Sequence, residues 1–197
     1  MRITRDTFRR FVLDHLNSHL RNRTVGTLQL FRRDELGKRP KTLDVFHEDT
    51  VVTDPARPTF AFHSGGRTEL QFNLGLENDD QMHLRHGVAF SFQKSNAFRD
   101  INDLFCKLLP WVRGFDKFFE QPSRDYPNLR LWCWFAHADE REERPAGAIP
   151  EEWIQEEAFV FLGSRQPLND EMPNLDRIGD DLDRLFKLYR YAARHRP

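Results

Sequence analysis

The chain has 197 residues, a net charge of −1 and a hydrophobic fraction of 39%, which suits one domain with a substantial core. No apolar run approaches the ~20 residues that a membrane span needs, so we expect no membrane partner. The N-terminus, "MRITRDTFRRF", has no hydrophobic signal region, which predicts a cytoplasmic location. The two cysteines, Cys106 and Cys133, have no redox or metal-ligand spacing, so both are expected to be buried small hydrophobic residues.

Charge is distributed unevenly along the chain. Residues 1–42 hold eleven basic and four acidic side chains, a net charge of +7, whereas residues 139–157 hold eight acidic and two basic ones, a net charge of −6. A basic segment on a nearly neutral protein can contact phosphate groups. The alternative is that it forms a solvated helix face followed by a loop.

The first predicted element is a helix over residues 4–21, with Thr4 or Asp6 as its cap. Its outer positions are charged, and its apolar stripe consists of Phe8, Phe11, Val12, Leu16 and Leu20.

The next segment, residues 21–58, has an irregular pattern. In it, "TLQLF" (27–31) and "TLDVF" (42–46) each have the composition of a short strand. Residues 59–63, "TFAFH", alternate between apolar and polar side chains, which predicts a further strand.

Residues 67–77, "RTELQFNLGLE", and residues 83–93, "HLRHGVAFSFQ", predict an antiparallel hairpin. One face of this hairpin is apolar. The opposite face combines polar with small side chains, namely Glu69, Gln71, Asn73, Gly75, Arg85, Gly87, Ala89 and Ser91. Because small residues let another object approach a sheet closely, we expect this face to meet a helix of the chain, a nucleotide or a partner backbone.

The second half of the chain completes the sheet and its helices. Residues 98–120 have helical spacing, with Pro110 either kinking the helix or starting a second one. The remaining predictions are a strand at 129–135, a solvated acidic loop at 138–150, a helical turn at "IPEEW", a strand at 158–163 and an amphipathic helix at 174–194 capped by Asn174.

The order of these elements lacks regular strand–helix–strand alternation, so it predicts an α+β fold. The expected architecture is a largely antiparallel sheet packed with N-terminal, central and C-terminal helices. We expect one domain over residues 1–197, with a basic helix and an irregular segment at 1–58 and a sheet-and-helix core at 59–197.

Neither a metal site nor a cofactor is predicted. His15 and His19 have helical i, i+4 spacing, but no third ligand is implied. Asp54, Glu69 and Gln71 loosely match the acid, then acid-x-Lys, pattern of Mg²⁺-dependent nucleases, with glutamine in place of lysine. This match makes a nuclease an alternative hypothesis, while the leading hypothesis names no catalytic residue.

Nucleic-acid binding accounts for more features of the sequence than a metal site or a nuclease does. It needs cations for phosphates, planar side chains for bases and amides for base edges. The predicted contact set is Arg67, Gln71, Asn73, Arg85, Trp132 and Trp134. The alternative is that the tryptophans cover a second layer of the sheet and the amides bond to backbone.

Four segments support a resemblance to a known type of module: "ELQFNLGLE", "LRHGVAFSF", "FVFLG" and "DDLDRLFKLYRY", which occur in this order. Together, over residues 60–191, they resemble the N-terminal modified-DNA-recognition module of modification-dependent restriction systems of the McrB or HNH type. The resemblance implies a domain that senses modified bases in double-stranded DNA and leaves cleavage to a nuclease or NTPase partner domain.

The leading hypothesis is therefore a non-catalytic DNA-binding module that reads modified bases in a restriction or defence system. The alternatives are the Mg²⁺-dependent nuclease and a protein-interaction or assembly domain, in which the small-residue face docks a partner subunit.

Overall fold

The computed structural model describes residues 4–48, 51–54, 59–78, 81–95, 99–121, 126–135, 141–168 and 173–196. A π-helical segment, Phe11–Leu16, joins the first two helices, and short 3-10 turns lie at Thr24–Thr27 and Glu151–Trp153. The helices are α1 (Arg5–Arg10), α2 (Asn17–Leu20), α3 (Leu28–Leu36), α4 (Ile101–Phe119) and α5 (Leu175–Arg194). The strands are β1 (Val51–Asp54), β2 (Thr59–Ser64), β3 (Gln71–Asn78), β4 (Met82–Ser91), β5 (Arg130–Phe135), β6 (Arg141–Pro145) and β7 (Ala158–Pro167).

The strands form one seven-stranded sheet in the order β1-β2-β3-β4-β7-β5-β6. The pairs β1/β2, β5/β6 and β5/β7 are antiparallel. Helices precede, interrupt and follow the run of strands. The prediction of an α+β fold with a largely antiparallel sheet is confirmed.

Two compact units share the chain, and several elements contribute to both. The first unit comprises Met1–Ser64, Asn73–His86 and Arg165–Phe186. The second unit comprises Gly65–Phe72, Gly87–Ser164 and Lys187–Pro197.

In the first unit, the N-terminal helical run begins at the predicted cap, where the backbone N–H of Thr7 donates to the hydroxyl of Thr4. The apolar stripe of the run is buried, and the ring of Phe8 lies 6.0 Å from that of Phe62 in β2. In α3, the ring of Phe31 lies 5.9 Å from that of Phe186 in α5. These contacts place the helices of this unit against β2 and the first half of α5.

The strand prediction for residues 27–31 is wrong, because this segment enters α3. Five residues are too few to separate strand from helix periodicity. The helix extends through Arg32 to Leu36 and ends at Gly37, whose left-handed backbone makes it a helix C-cap. Residues 42–46 form no strand either, but a series of bends with Val45 and Phe46 buried.

Polar side chains anchor the irregular segment of the first unit. Asn17 both donates to and accepts from the backbone of Phe46. Arg23 forms ion pairs with Asp180 and Asp183 of α5, and the Asp183 carboxylate also accepts from the N–H of Val25. The segment that follows α2 is therefore bound to the acidic first half of α5 by ion pairs and a hydrogen bond.

In the second unit, α4 runs through Pro110 without a break. The rings of Phe105 and Phe115 on α4 lie 5.3 Å and 5.7 Å from those of Phe92 and Phe90 on β4. Cys106 lies off this apolar stripe and is exposed, so the prediction that it is buried is wrong, whereas Cys133 is buried as predicted.

Strand β6 occupies the segment that the sequence predicted to be an acidic loop. All five of its residues are exposed, and β6 is the outermost strand of the sheet. Exposed, charged edge strands are a common protection against edge-to-edge pairing. Such a strand has no apolar alternation to reveal it, which explains why the prediction was wrong.

Asp116 on α4 anchors the segment that follows β6, and the pKa of its carboxyl group is raised. Its carboxylate accepts a hydrogen bond from the N–H of Ile149 at 2.8 Å. Burial raises the pKa of Asp116 to about 6, against the opposing effect of this hydrogen bond and with a further rise from Glu120. Between about pH 4 and pH 6, the folded state therefore binds this proton more tightly than the unfolded state, so this group's contribution to stability falls as the pH rises.

Asp116→Asn is expected to stabilise the protein at pH 7 by about 1 kcal/mol, since the amide oxygen still accepts from Ile149 without carrying a charge. The full value for a two-unit shift is reduced because Asp116 is only half-buried. Urea unfolding from pH 4 to pH 8 measures the effect. The advantage of asparagine should vanish near pH 4, and a difference that is constant across this range would contradict the raised pKa.

Among the described residues, none of the helices combines the length and the apolar character needed to cross a membrane.

Candidate functional site: the second face of the sheet

The polar-and-small face of the predicted hairpin, which we call the second face, is buried. Gln71 and Asn73 are only 6% and 5% exposed. The apolar face is also buried, and there the ring of Phe72 lies 5.5 Å from that of Tyr189 in α5. The amides of Gln71 and Asn73 are therefore covered by other parts of the chain, whereas a visiting nucleotide or partner backbone would need them at the surface.

Small residues on the second face allow neighbouring strands of the same chain to approach closely. In the first unit, a Cβ atom at Gly75 would lie 2.9 Å from the carbonyl oxygen of Phe60. In the second unit, a Cβ atom at Gly87 would lie 2.2 Å from the carbonyl oxygen of Leu162. Ala89 is buried in a cluster with Trp132 and Phe161. The object that approaches the sheet at these positions is the backbone or the aromatic cluster of the protein itself.

Arg85, predicted to hold a phosphate, is engaged in an internal ion pair. Its Nη1 donates to Oε1 of Glu77 at 2.5 Å, while Nε of Arg165 donates to Oε2 of the same carboxylate at 2.8 Å. Burial acts to raise the pKa of Glu77, but the two guanidinium groups outweigh it, so this pKa lies below its ordinary value. The three side chains are mostly buried, which makes them an anchor within the first unit.

Two histidines of β4 make different internal contacts. Nδ1 of His83 lies 2.9 Å from the carbonyl oxygen of Gln81 and 3.1 Å from Nη2 of Arg165. Nε2 of His86 lies 2.9 Å from Oδ2 of Asp181 in α5, and both side chains are buried. These contacts are internal to the first unit.

The amide of Asn73 is buried without a complete set of hydrogen bonds. Within the described part of the chain, its Oδ1 accepts no hydrogen bond. A buried acceptor of this kind carries a desolvation penalty. Because Asn73 is almost fully buried, this oxygen is not presented to a ligand at the surface.

Trp132 and Trp134 lie side by side with two phenylalanines of β7, and we call these four side chains the aromatic surface. The register pairs Trp132 with Phe161 and Trp134 with Phe159, at ring-centroid distances of 5.6 Å and 5.8 Å. Trp132 and Phe161 are buried, whereas Trp134 and Phe159 remain partly exposed. The aromatic surface therefore reaches solvent at its Trp134 end.

A cation from the edge strand lies at this end of the aromatic surface. Arg141 of β6 is paired in register with Trp134, and its Cζ lies 5.9 Å from the centre of the indole. This distance is within the range of a cation–π interaction. A partly exposed indole, a phenyl ring and a guanidinium together can stack a planar ring and attract an anion beside it.

Arg67 is the other predicted contact residue that is accessible. It is exposed, and its Nη1 donates to the carbonyl oxygen of Gln93. Arg67, Gln71, Trp132 and Trp134 belong to the second unit, and Asn73 and Arg85 belong to the first. Of the six predicted residues, Arg67 and Trp134 offer surface to a ligand.

Of the residues proposed for nuclease chemistry, Glu69 is engaged in internal hydrogen bonds. The side chain of Asp54 lies outside the described part of the structure, and its strand belongs to the first unit, whereas Glu69 belongs to the second. The buried Glu69 carboxylate accepts from the N–H of Gly66 and from the hydroxyl of Tyr189. No group of three or more His, Cys, Asp or Glu side chains suited to a metal ion occurs among the described residues.

A nucleophilic role for Cys133 is not favoured by its surroundings. Burial, and secondarily the nearby Glu142, raise the pKa of the thiol to about 12. A thiol with this pKa is protonated at neutral pH, and the thiolate is the reactive form.

Sequence reasoning missed Arg141 and Phe159 as members of the accessible surface. The sequence predicts a loop at Arg141 and an apolar strand at Phe159, and neither prediction marks the residue as accessible. Their relation to Trp134 depends on strand register, which the sequence of a single chain does not reveal.

No family model, curated protein or solved structure matches this chain.

Proposed function

We propose that the chain is a DNA-binding module that reads modified bases in a restriction or defence system. The observation that carries the proposal is the partly exposed Trp134, flanked by Phe159 and approached by Arg141. Aromatic side chains beside cations are a recurrent means of binding nucleic-acid bases. The resemblance of residues 60–191 to a modified-DNA-recognition module adds support.

In this proposal, the contacts differ from the set predicted from the sequence. Trp134 stacks on a base that has been turned out of the duplex, since a base within the duplex does not expose its flat face. Arg141 and the exposed Arg67 approach phosphate groups. A methyl or hydroxymethyl substituent changes the contact area of the base against the indole, which provides a basis for discrimination.

Buried members of the predicted set have a supporting role. The rings of Trp132 and Phe161 pack against the indole of Trp134, at centroid distances of 6.4 Å and 6.1 Å. The internal positions of Gln71, Asn73 and Arg85 exclude them from direct contact in this arrangement.

Trp134→Ala is expected to weaken binding of the preferred duplex about tenfold, because one base stack on an aromatic side chain contributes about 1–3 kcal/mol. Trp134→Phe should keep most of the affinity, since it retains a flat ring. Fluorescence anisotropy with unmodified, methylated, hydroxymethylated and phosphorothioated duplexes at low salt measures both variants.

Phe135→Ala is the matched control. Phe135 is the next residue of β5, is also partly exposed, and points to the opposite face of the sheet. Loss of the Phe135 ring should leave the affinity within about twofold of wild type. Thermal melting checks that both variants are folded. Equal affinities for Trp134→Ala and wild type on every duplex would remove Trp134 from the interface, and no binding by wild type to any duplex would overturn the proposed function.

A further inference from the structure

A surface cavity of about 250 Å³ lies in the second unit, along the last two turns of α5 and against the end of α4. Neither the predicted contact set nor the aromatic surface includes it. It is lined by Phe118, Lys187, Arg190, Tyr191, Arg194 and His195, and we call it the basic pocket.

Cations dominate the walls of the basic pocket. Lys187, Arg190 and Arg194 follow one another at helical spacings of three and four residues, so they share one face of α5. Lys187 and Arg194 are exposed, and Arg190 is half-buried. Three of the six lining residues are therefore cations, and a pocket lined in this way favours an anionic ligand.

Aromatic rings form the remaining walls. The imidazole of His195 stacks on the ring of Tyr191 with a centroid distance of 3.8 Å and an angle of 12°. The ring of Phe118 meets Tyr191 edge-on at 5.6 Å. Nδ1 of His195 lies 2.9 Å from the carbonyl oxygen of Tyr191 and donates to it, which leaves Nε2 as the nitrogen that can face a ligand.

The cations also complement the negative end of the α5 dipole. That role requires only charge in the last turn of the helix. It does not account for a surface pocket that is lined by three cations together with two stacked rings. Guanidinium and ammonium groups beside flat rings suit a phosphate ester attached to a nucleoside, because the cations bind the phosphate and the rings pack against the base or sugar.

We propose that the basic pocket binds a phosphate group of a nucleotide. The inference deepens the proposed function and rests on it for the source of that nucleotide, which is the backbone of bound DNA. A free mononucleotide offers the same chemistry and is the second source to be tested.

The test uses the full chain with two double variants of equal charge change. Lys187→Glu/Arg194→Glu reverses two exposed cations of the pocket, and Arg99→Glu/Arg113→Glu reverses two exposed cations outside it. A fluorescein-labelled duplex is titrated by anisotropy from 50 to 300 mM salt, and AMP is titrated by calorimetry.

The pocket variant is expected to bind the duplex at least tenfold more weakly than wild type at low salt. The slope of log affinity against log salt should fall by about 1 to 2, one for each phosphate that the protein no longer neutralises. The control variant should stay within threefold of wild type. Unchanged duplex affinity together with AMP binding that disappears only in the pocket variant also supports the phosphate site, with free nucleotide as its source.

The proposal is overturned if the two variants lose duplex affinity equally and wild type does not bind AMP, because the effect is then one of overall charge. It is also overturned if neither probe distinguishes the pocket variant from wild type. Wild-type binding of DNA in either case leaves the proposed function intact. Conversely, failure of wild type to bind any duplex removes the proposed function, while the AMP titration still decides on the pocket.

Discussion

Glu77→Gln is expected to destabilise the protein by about 3–5 kcal/mol, because it removes the negative partner from two largely buried guanidinium groups. Arg85 and Arg165 both donate to the Glu77 carboxylate, one to each oxygen. A neutral amide can accept only through its single oxygen, and its NH₂ group would face a guanidinium donor. The penalty is therefore that of buried charge left without full compensation, in addition to the removal of a hydrogen bond.

Glu48→Gln is the matched control for this substitution. Glu48 forms an ion pair with Arg9 in the same unit, but the two side chains are 64% and 42% exposed. Exposed ion pairs typically contribute less than about 1 kcal/mol. Urea unfolding at pH 7 compares the two variants, and a similar small effect for both would show that the Glu77 cluster is solvated like a surface pair.

The acid dependence of Glu77 gives a second readout. Because its folded-state pKa lies below the ordinary value of 4.5, its contribution to stability is present above that value and is lost as the pH falls below it. The stability difference between wild type and Glu77→Gln should therefore shrink below about pH 4.5. A difference that grows on acidification would have the wrong sign for a carboxylate held between two arginines.

Gly87→Ala is expected to cost about 3 kcal/mol, at the upper end of ordinary overpacking penalties. The added Cβ would lie 2.2 Å from the carbonyl oxygen of Leu162 and 2.7 Å from the Cα of Gly163. These are backbone atoms of a neighbouring strand, so no rotamer change can relieve the contact. The strands themselves must move apart, at the cost of hydrogen bonds in the ladder.

Gly147→Ala is the matched control, since it makes the same chemical change in the same unit. A Cβ atom at Gly147 would meet only the carbonyl oxygen of Pro145, at an ordinary distance of 3.8 Å. Its effect should stay within about 0.5 kcal/mol. Denaturant midpoints of the two variants decide the matter, and equal midpoints would contradict the close approach of β7 to Gly87.

Both predictions concern the second face of the sheet, and they bear on where a ligand can bind. On this face, the glycines and the Glu77 cluster contact other parts of the chain and are covered by them. Accessible chemistry is left at the Trp134 end of the aromatic surface and on the last turns of α5. A DNA-binding role therefore has to be tested at these margins, away from the amides of β3.

Patterns within a single element could be predicted. The period of the apolar residues placed α4, α5, β5 and β7 close to their observed bounds. Short polar side chains identified the caps, and the N–H of Arg177 donates to Asn174 as expected. Each of these depends on residues within about four positions of one another. Where local pattern was weak, as in α3 and β6, the prediction was wrong.

The sequence by itself determined that this protein has an antiparallel sheet with helices, and that one hairpin carries polar and small residues opposite an apolar face. Only the tertiary structure decided what those residues meet. Gly87 meets the backbone of β7, and Glu77 meets an arginine 88 positions away in sequence. Periodicity reports which side of a strand a residue occupies, because that is set by local backbone geometry. It does not report what covers that side, because strand order and register depend on packing between distant segments.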